Sequence, residues 1–175
     1  MFLHTKLEDR KHPIRVAFIG CGKFVSMFLS QYSNLNKIKI DSIVDLNIDQ
    51  AKKNCLKSGV SKEEVSKINF STSLDQIIDR NIEIFIEATG NPIVGTVHAT
   101  KILKEKKHLI LVNVEADITC GKYLSDLAKE NGVICSMAYG DQPSLILEQI
   151  EWARLNGFEV ICAGKGTKYH PSFEY

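Results

Sequence analysis

The sequence predicts an α/β fold, a doubly wound parallel sheet covered by helices on both faces. Short apolar runs of strand length alternate with stretches of helical periodicity along the whole chain. The runs are near-continuously apolar, as strands buried on both faces must be. Gly, Asn and Asp mark the junctions between them. Parallel strands joined this way need right-handed crossovers through helices.

The elements follow in order. Residues 1–13 are polar, end at Pro13 and read as an arm or loosely held lead-in. "RVAFIG" (15–20) is the first strand, and Phe24, Met27 and Phe28 open a helix at i, i+3, i+4 spacing. Residues 38–45 form the second strand; the next helix starts at an N-cap, Asn47, and stops at Gly59. Residues 67–72 are a third strand, 75–79 a short helix, and 82–90 a fourth strand running into a glycine turn. Residues 91–107 form a helix with Pro92 in its first turn, where proline is tolerated. Residues 108–114 are the fifth strand, and Leu124, Leu127 and Ala128 mark a helix ending at Asn131-Gly132. Residues 133–139 are the sixth strand, and Ile146, Ile150 and Ala153 mark a helix ending at Asn156-Gly157. "FEVICAGKG" (158–166) then starts one more strand.

Composition narrows the function. With 22 Lys+Arg against 21 Asp+Glu, nothing draws the chain to nucleic acid or an anionic membrane surface. Hydrophobic residues at 44% and charged residues at 25% argue against disorder. No apolar run approaches the roughly 20 residues of a membrane helix, and the N-terminus lacks the apolar core of a secretory signal. The five cysteines form no CxxC pair and are odd in number, which reads as reduced thiols of a cytoplasmic protein. The expected partner is a small-molecule substrate; a homo-oligomer is compatible with the sequence but not visible in it.

In a doubly wound sheet, ligands sit at the carboxyl ends of the strands. There the first turn reads Gly20-Cys21-Gly22-Lys23-Phe24-Val25. Gly20 and Gly22 match the first two glycines of the dinucleotide fingerprint: one for the tight turn, one for close approach to a pyrophosphate. The third position is Val25, which departs from the pattern. Asp45, at the end of the second strand, can accept from a ribose hydroxyl and favours NAD; alternatively it caps the next helix. Lys52 and Lys53 keep NADP open. Thr89, Gly90 and Asn91, after the fourth strand, line the same cleft, with Asn91 doubling as an N-cap, and Asn113 ends the fifth strand beside it.

The blocks "RVAFIGCGKF", "EATGNP", "VNVEAD", "AYGDQP" and "AGKGTKY" occur together and in this order. In this the chain resembles the homoserine-dehydrogenase-like oxidoreductases, above all the DRL group (deoxyxylulose-phosphate reductoisomerase-like proteins). The resemblance spans residue 14 to the end. It implies a Rossmann domain, the beginning of a DRL-type catalytic domain and NAD(P)-dependent oxidoreductase chemistry. Some members convert deoxyxylulose phosphate with NADPH and a divalent cation such as Mg or Mn, and many have no assigned substrate. By motif, Gly20, Gly22, Lys23 and Phe24 would form the pyrophosphate turn, and Thr89, Gly90 and Asn91 the nicotinamide side.

Several residues could carry chemistry. Glu115 and Asp117, read as lying in the loop after the fifth strand, could bind a divalent ion or act as acid and base; the alternative is a solvated, capping turn. Asp141, beside Tyr139 and Gly140, is a metal or substrate ligand or part of a helix cap. Lys165, between Gly164 and Gly166, and Lys168 could hold a phosphate or protonate an alkoxide, or could be exposed surface lysines. His98 and His108 read as helix-surface and strand-start residues, Cys21 as a small turn residue, and Trp152 as a packing anchor. The expected layout is an arm (1–13), a Rossmann domain (14–156) and the opening of a catalytic domain (157–175), the N-terminal portion of a longer enzyme. The alternative is a dinucleotide-binding module without catalysis of its own.

Overall fold

A computed structural model describes residues 3–139 and 142–164. A six-stranded sheet in the order β3-β2-β1-β4-β5-β6 organises the chain. In sequence its strands are β1 (Ile14–Ile19), β2 (Ile38–Val44), β3 (Asn69–Ser71), β4 (Ile84–Glu87), β5 (His108–Leu111) and β6 (Cys135–Met137). The neighbours β1–β2, β1–β4, β2–β3 and β4–β5 pair in parallel. The helices are α1 (Leu3–Glu8), α2 (Lys23–Leu29), α3 (Ile48–Lys57), α4 (Lys62–Lys67), α5 (Pro92–Lys104), α6 (Val114–Glu130) and α7 (Gln142–Leu155). The order reverses between β1 and β4, so the crevice at their carboxyl ends is the topological switch point of a Rossmann sheet.

Register places the strand ends side by side: Ile19 faces Val44 on one side and Glu87 on the other. The β1–β2 register skips Asp41, which sits at a β-bulge. Freed from the ladder geometry, this buried carboxylate meets Arg15 and the Nε of Arg80 (2.7 Å) and accepts from Ser42 Oγ (2.8 Å). The core on one face packs Val16, Phe18, Ile40, Ile43 and Ile86 against Val25, Leu29, Ala51 and Cys55 of α2 and α3. The Phe18 and Phe28 rings lie tilted with centroids 5.1 Å apart.

The alternation of elements is as expected, with informative differences. The lead-in carries helix α1, and α4 was not anticipated because Lys62–Lys67 has almost no apolar periodicity. Ser61 starts α4 by accepting from Glu64 N, a capping signal rather than a hydrophobic one. The helix foreseen over 75–79 is a 3₁₀ turn at Leu74–Gln76. The fifth strand stops at Leu111, because Asn113 caps a helix that begins at Val114, well before the expected Leu124 stripe.

The chain divides into two compact units, Met1–Ser136 and Met137–Tyr175. This division lies before α7, whereas the sequence suggested a boundary after residue 156. Within the second unit, Tyr139 Oη donates to Glu148 at 2.7 Å. Residues 158–164 form no strand; their main chain finds no ladder partner among the described residues. Trp152 is not a packing anchor but is 64% exposed.

Candidate dinucleotide site

A cleft of about 580 Å³ opens at the switch point. It is walled by Ile19 and Gly20 after β1, by Val44, Asp45 and Leu46 after β2, and by Thr72 to Asp75 after β3. Thr89 and Asn91 after β4 and Val94, Val97, His98 and Lys101 of α5 complete it.

Gly20 turns the chain with φ +87°. A Cβ there would stand 2.8 Å from the carbonyl oxygen of Ala88, so the β1 turn passes directly over the end of β4. Gly22 is the exposed N-cap of α2; no side chain caps it, and nothing lies within 4 Å of where its Cβ would be. That bare main chain is a cradle an anionic ligand can approach. Lys23 and Phe24 follow as exposed residues of the first turn of α2. Val25, where the fingerprint expects a small residue, is fully buried in the core.

Asp45 links the turn to β2. One carboxylate oxygen accepts from Cys21 N and the other from Asn47 N, each at 2.8 Å. The cap of α3 is Asn47, which accepts from Gln50 N; Asp45 is left facing the cleft and half-buried. Beside it, Leu46 is 93% exposed.

The opposite wall rests on a buried polar cluster. Glu87 ends β4 with 0% exposure and accepts from Thr89 N (3.2 Å) and Thr89 Oγ1. His98 Nδ1 lies 3.9 Å from Glu87 Oε1. Glu87 Oε2 and His98 Nδ1 are buried without a hydrogen-bond partner. Burial pushes the Glu87 carboxyl up, but His98, Thr89 and Asn113 outweigh it and hold it below the ordinary carboxylate range. Gly95 makes room: a Cβ there would stand 2.5 Å from Asn113 Nδ2 and 2.9 Å from Glu87 Oε2.

The expected site residues therefore divide. Gly20, Asp45, Thr89 and Asn91 line one cleft, with Gly90 at φ +70° shaping the turn between the last two. Asn91 also caps α5, accepting from Val94 N at 3.0 Å. Asn113 is buried behind the wall rather than on it, capping α6 through Ala116 N (3.2 Å) and donating to Asn91 O (2.8 Å). Glu115 and Asp117 lie in the first turn of α6, not in a loop as expected. Two residues apart on a helix, they point in different directions: Glu115 is exposed, while Asp117 is half-buried and folds over Gly121. Burial pushes the Asp117 carboxyl up. Burial, then the charge of Asp117, pushes the Cys135 thiol up to about 11. Among the described residues no group of three or more His, Cys, Asp or Glu side chains could hold a metal ion. Asp141, Lys165 and Lys168 lie outside the described residues.

The α5 wall was missed from sequence, although Val94, Val97, His98 and Lys101 repeat at i, i+3, i+4, i+7 and so share one helix face. Lys101 pairs with Asp75 across the cleft, a contact between elements far apart in the chain.

Comparisons with known proteins agree with this fold. The profile described as "Oxidoreductase family, NAD-binding Rossmann fold" matches residues 14–139, and "Oxidoreductase DRL, catalytic domain" matches residues 140–175. No curated protein sequence matches the chain. Among solved structures, an oxidoreductase from Bacillus cereus is similar at 23% identity and a TM-score of 0.61, over 80% of this chain and 40% of its own. A homoserine dehydrogenase from Thiobacillus denitrificans is similar at 17% identity and a TM-score of 0.58, over 71% and 29%. The WlbA dehydrogenase of Bordetella pertussis, solved with NADH and UDP-GlcNAcA, is similar at 16% identity and a TM-score of 0.61, over 84% and 41%. At these identities the likeness is one of fold, and the chain spans less than half the length of each. With its family profile covering most of the sequence, the chain belongs to the oxidoreductase family with an NAD-binding Rossmann fold.

Proposed function

We propose that this cleft holds NAD(H) and that the chain presents it for hydride transfer to or from a small, phosphorylated keto or aldehyde substrate. The observation that carries the reading is the Gly20 turn at the switch point with Asp45 facing the same cleft. Gly20 and Gly22 would let a pyrophosphate reach the main chain, and Asp45 would accept from a ribose hydroxyl. Leu46, Val94 and Val97 would give apolar surface to the adenine. Thr89 and Asn91 would border the nicotinamide side, fixed from behind by Glu87 and Asn113. Bound there, the nicotinamide would supply or accept the hydride.

Lys165 and Lys168 are our candidates for binding the substrate anion and handling the alkoxide proton. A divalent cation would draw on Asp141 or on groups beyond the described residues, because Glu115 and Asp117 diverge. A reductoisomerase-like activity on deoxyxylulose phosphate is the specific form of this proposal. A cytoplasmic location is in keeping with five cysteines carried as thiols; no described helix is long and apolar enough to cross a membrane.

A second reading is a binding module that holds the dinucleotide without catalysis of its own. Calorimetry with NADH and NADPH, then turnover with deoxyxylulose phosphate and Mg, separates the two. Tight NADH binding with turnover supports the enzyme, and binding without turnover on a panel of phosphorylated ketoses and aldehydes supports the module. Failure of both nucleotides to bind overturns both readings.

A further inference from the structure

His98 belongs to a helix, yet one edge of its ring is buried against the end of β4. Its side chain is 22% exposed and lines the cleft, while Nδ1 is buried, has no hydrogen-bond partner and lies 3.9 Å from Glu87 Oε1. Gly95, one turn earlier on α5, admits the carboxylate to this place: a Cβ there would stand 2.9 Å from Glu87 Oε2. Thr89 N and Thr89 Oγ1 donate to Glu87 Oε1 and fix it. An ionised carboxylate can only accept, so the neutral imidazole beside it carries its proton on Nδ1. At 3.9 Å the two groups fall short of a hydrogen bond, but the field of a buried charge still selects this tautomer. Nε2 is then a bare acceptor, on the ring edge left to the cleft.

The walls of the cleft say which part of a dinucleotide that edge would meet. They come from the ends of β1, β2, β3 and β4 and from α5; among the described residues the end of β5 gives none. This is the half of the switch-point crevice that holds Asp45, where the adenosine ribose would lie. Leu46 from one wall and Val94 and Val97 from the other offer apolar surface to the faces of a base. Lys101, on the same face of α5, is paired with Asp75, and Asn91 Oδ1 is spent on the helix cap. His98 is the polar side chain of the α5 wall with a lone pair still to offer.

We propose that His98 reads the adenine of the bound dinucleotide, Nε2 accepting a hydrogen bond from its exocyclic amino group, with Glu87 as the positioning residue that keeps this nitrogen bare. The inference rests on the NAD(H) reading of the cleft and assigns base recognition within it. Adenine carries an amino donor where hypoxanthine carries an oxygen acceptor. An acceptor on the protein therefore binds the first and faces the lone pairs of the second. The apolar walls hold either base alike, so the choice between them falls to one ring nitrogen.

The test is calorimetry of the full chain with NADH and with reduced nicotinamide hypoxanthine dinucleotide, which differ only in the base. NADH should bind about tenfold more tightly, the worth of one hydrogen bond made or opposed. His98→Phe keeps a flat ring without nitrogen and should bind the two alike, by loss of NADH affinity. His98→Leu gives the same comparison if thermal unfolding shows the Phe variant misfolded. Nitrogen NMR of the His98 ring, at about pH 8 and so above the ordinary histidine range, should show Nδ1 protonated and Nε2 bare. Equal affinity of the parent for the two dinucleotides overturns the inference and leaves the cofactor reading standing. A preference that survives loss of the ring nitrogens does the same, as does a proton found on Nε2. A parent protein that binds neither dinucleotide overturns the cofactor reading, and the inference with it.

Discussion

Asp45 accepts a 2.8 Å hydrogen bond from the main-chain N–H of Cys21, fastening the glycine turn after β1 to the end of β2. The carboxylate that would read a ribose is therefore also a strut of the turn that would hold the pyrophosphate. Its second oxygen, on Asn47 N, fixes its orientation.

Replacing Asp45 by Ala removes the strut and the ribose acceptor together. NADH affinity should fall about tenfold or more, roughly 1.4 kcal/mol, with a smaller loss for NADPH. Calorimetry with both nucleotides checks this. Equal loss for the two would mean that Asp45 acts only through the Cys21 turn.

Gly20 and Gly22 should respond differently to the same change. Gly20→Ala combines a positive φ with a clash against Ala88 O and should cost roughly 3 kcal/mol of stability. Gly22→Ala meets open space at φ −84° and should leave the melting temperature nearly unchanged. It should still weaken NADH binding, because the added methyl stands where the ligand approaches. A Gly22→Ala protein that binds NADH normally would place the pyrophosphate elsewhere.

Gly95→Ala probes the buried cluster without touching the cleft surface. The new methyl would press on Asn113 Nδ2 and Glu87 Oε2, and overpacking of this kind costs roughly 1–3 kcal/mol. Thermal unfolding measures it. A neutral outcome would show that Glu87 and Asn113 have room to move.

Asp41 should make the fold acid-labile. Burial pushes its carboxyl up, but Arg80, Ser42 and Arg15 prevail and hold it below its ordinary value. A carboxyl depressed on folding stabilises fully above its unfolded pKa, about 3.9, and loses that stabilisation as pH falls through the folded value. Asp41→Asn should cost roughly 2 kcal/mol at pH 7, less than a fully buried pair because both arginines are partly exposed. The gap in melting temperature between parent and variant should narrow as the pH falls below about 4. A gap independent of pH would mean that the carboxylate charge contributes nothing.

Much of the fold was legible because buried parallel strands are apolar without interruption. "RVAFIG" and "IKIDSIV" declare themselves, and the caps at Asn47 and Asn91 announce their helices. Helix α4 was illegible because its start is marked by a serine cap and two glutamates rather than an apolar stripe. "VNVEAD" misled because its valines suit a strand, whereas the capping bond from Asn113 to Ala116 N commits the segment to α6. That moved Glu115 and Asp117 from a loop to a helix and separated them.

The sequence by itself determined the strand–helix alternation, the glycine turn and the acid that follows it, since these depend on local propensity and spacing. Only the tertiary structure decided which groups meet: Asp45 with Cys21, Lys101 with Asp75, Glu87 with His98, and Cys21 with α3. Those pairs are separated in sequence and joined by register, because strands aligned at Ile19, Val44 and Glu87 bring their following loops to one edge of the sheet.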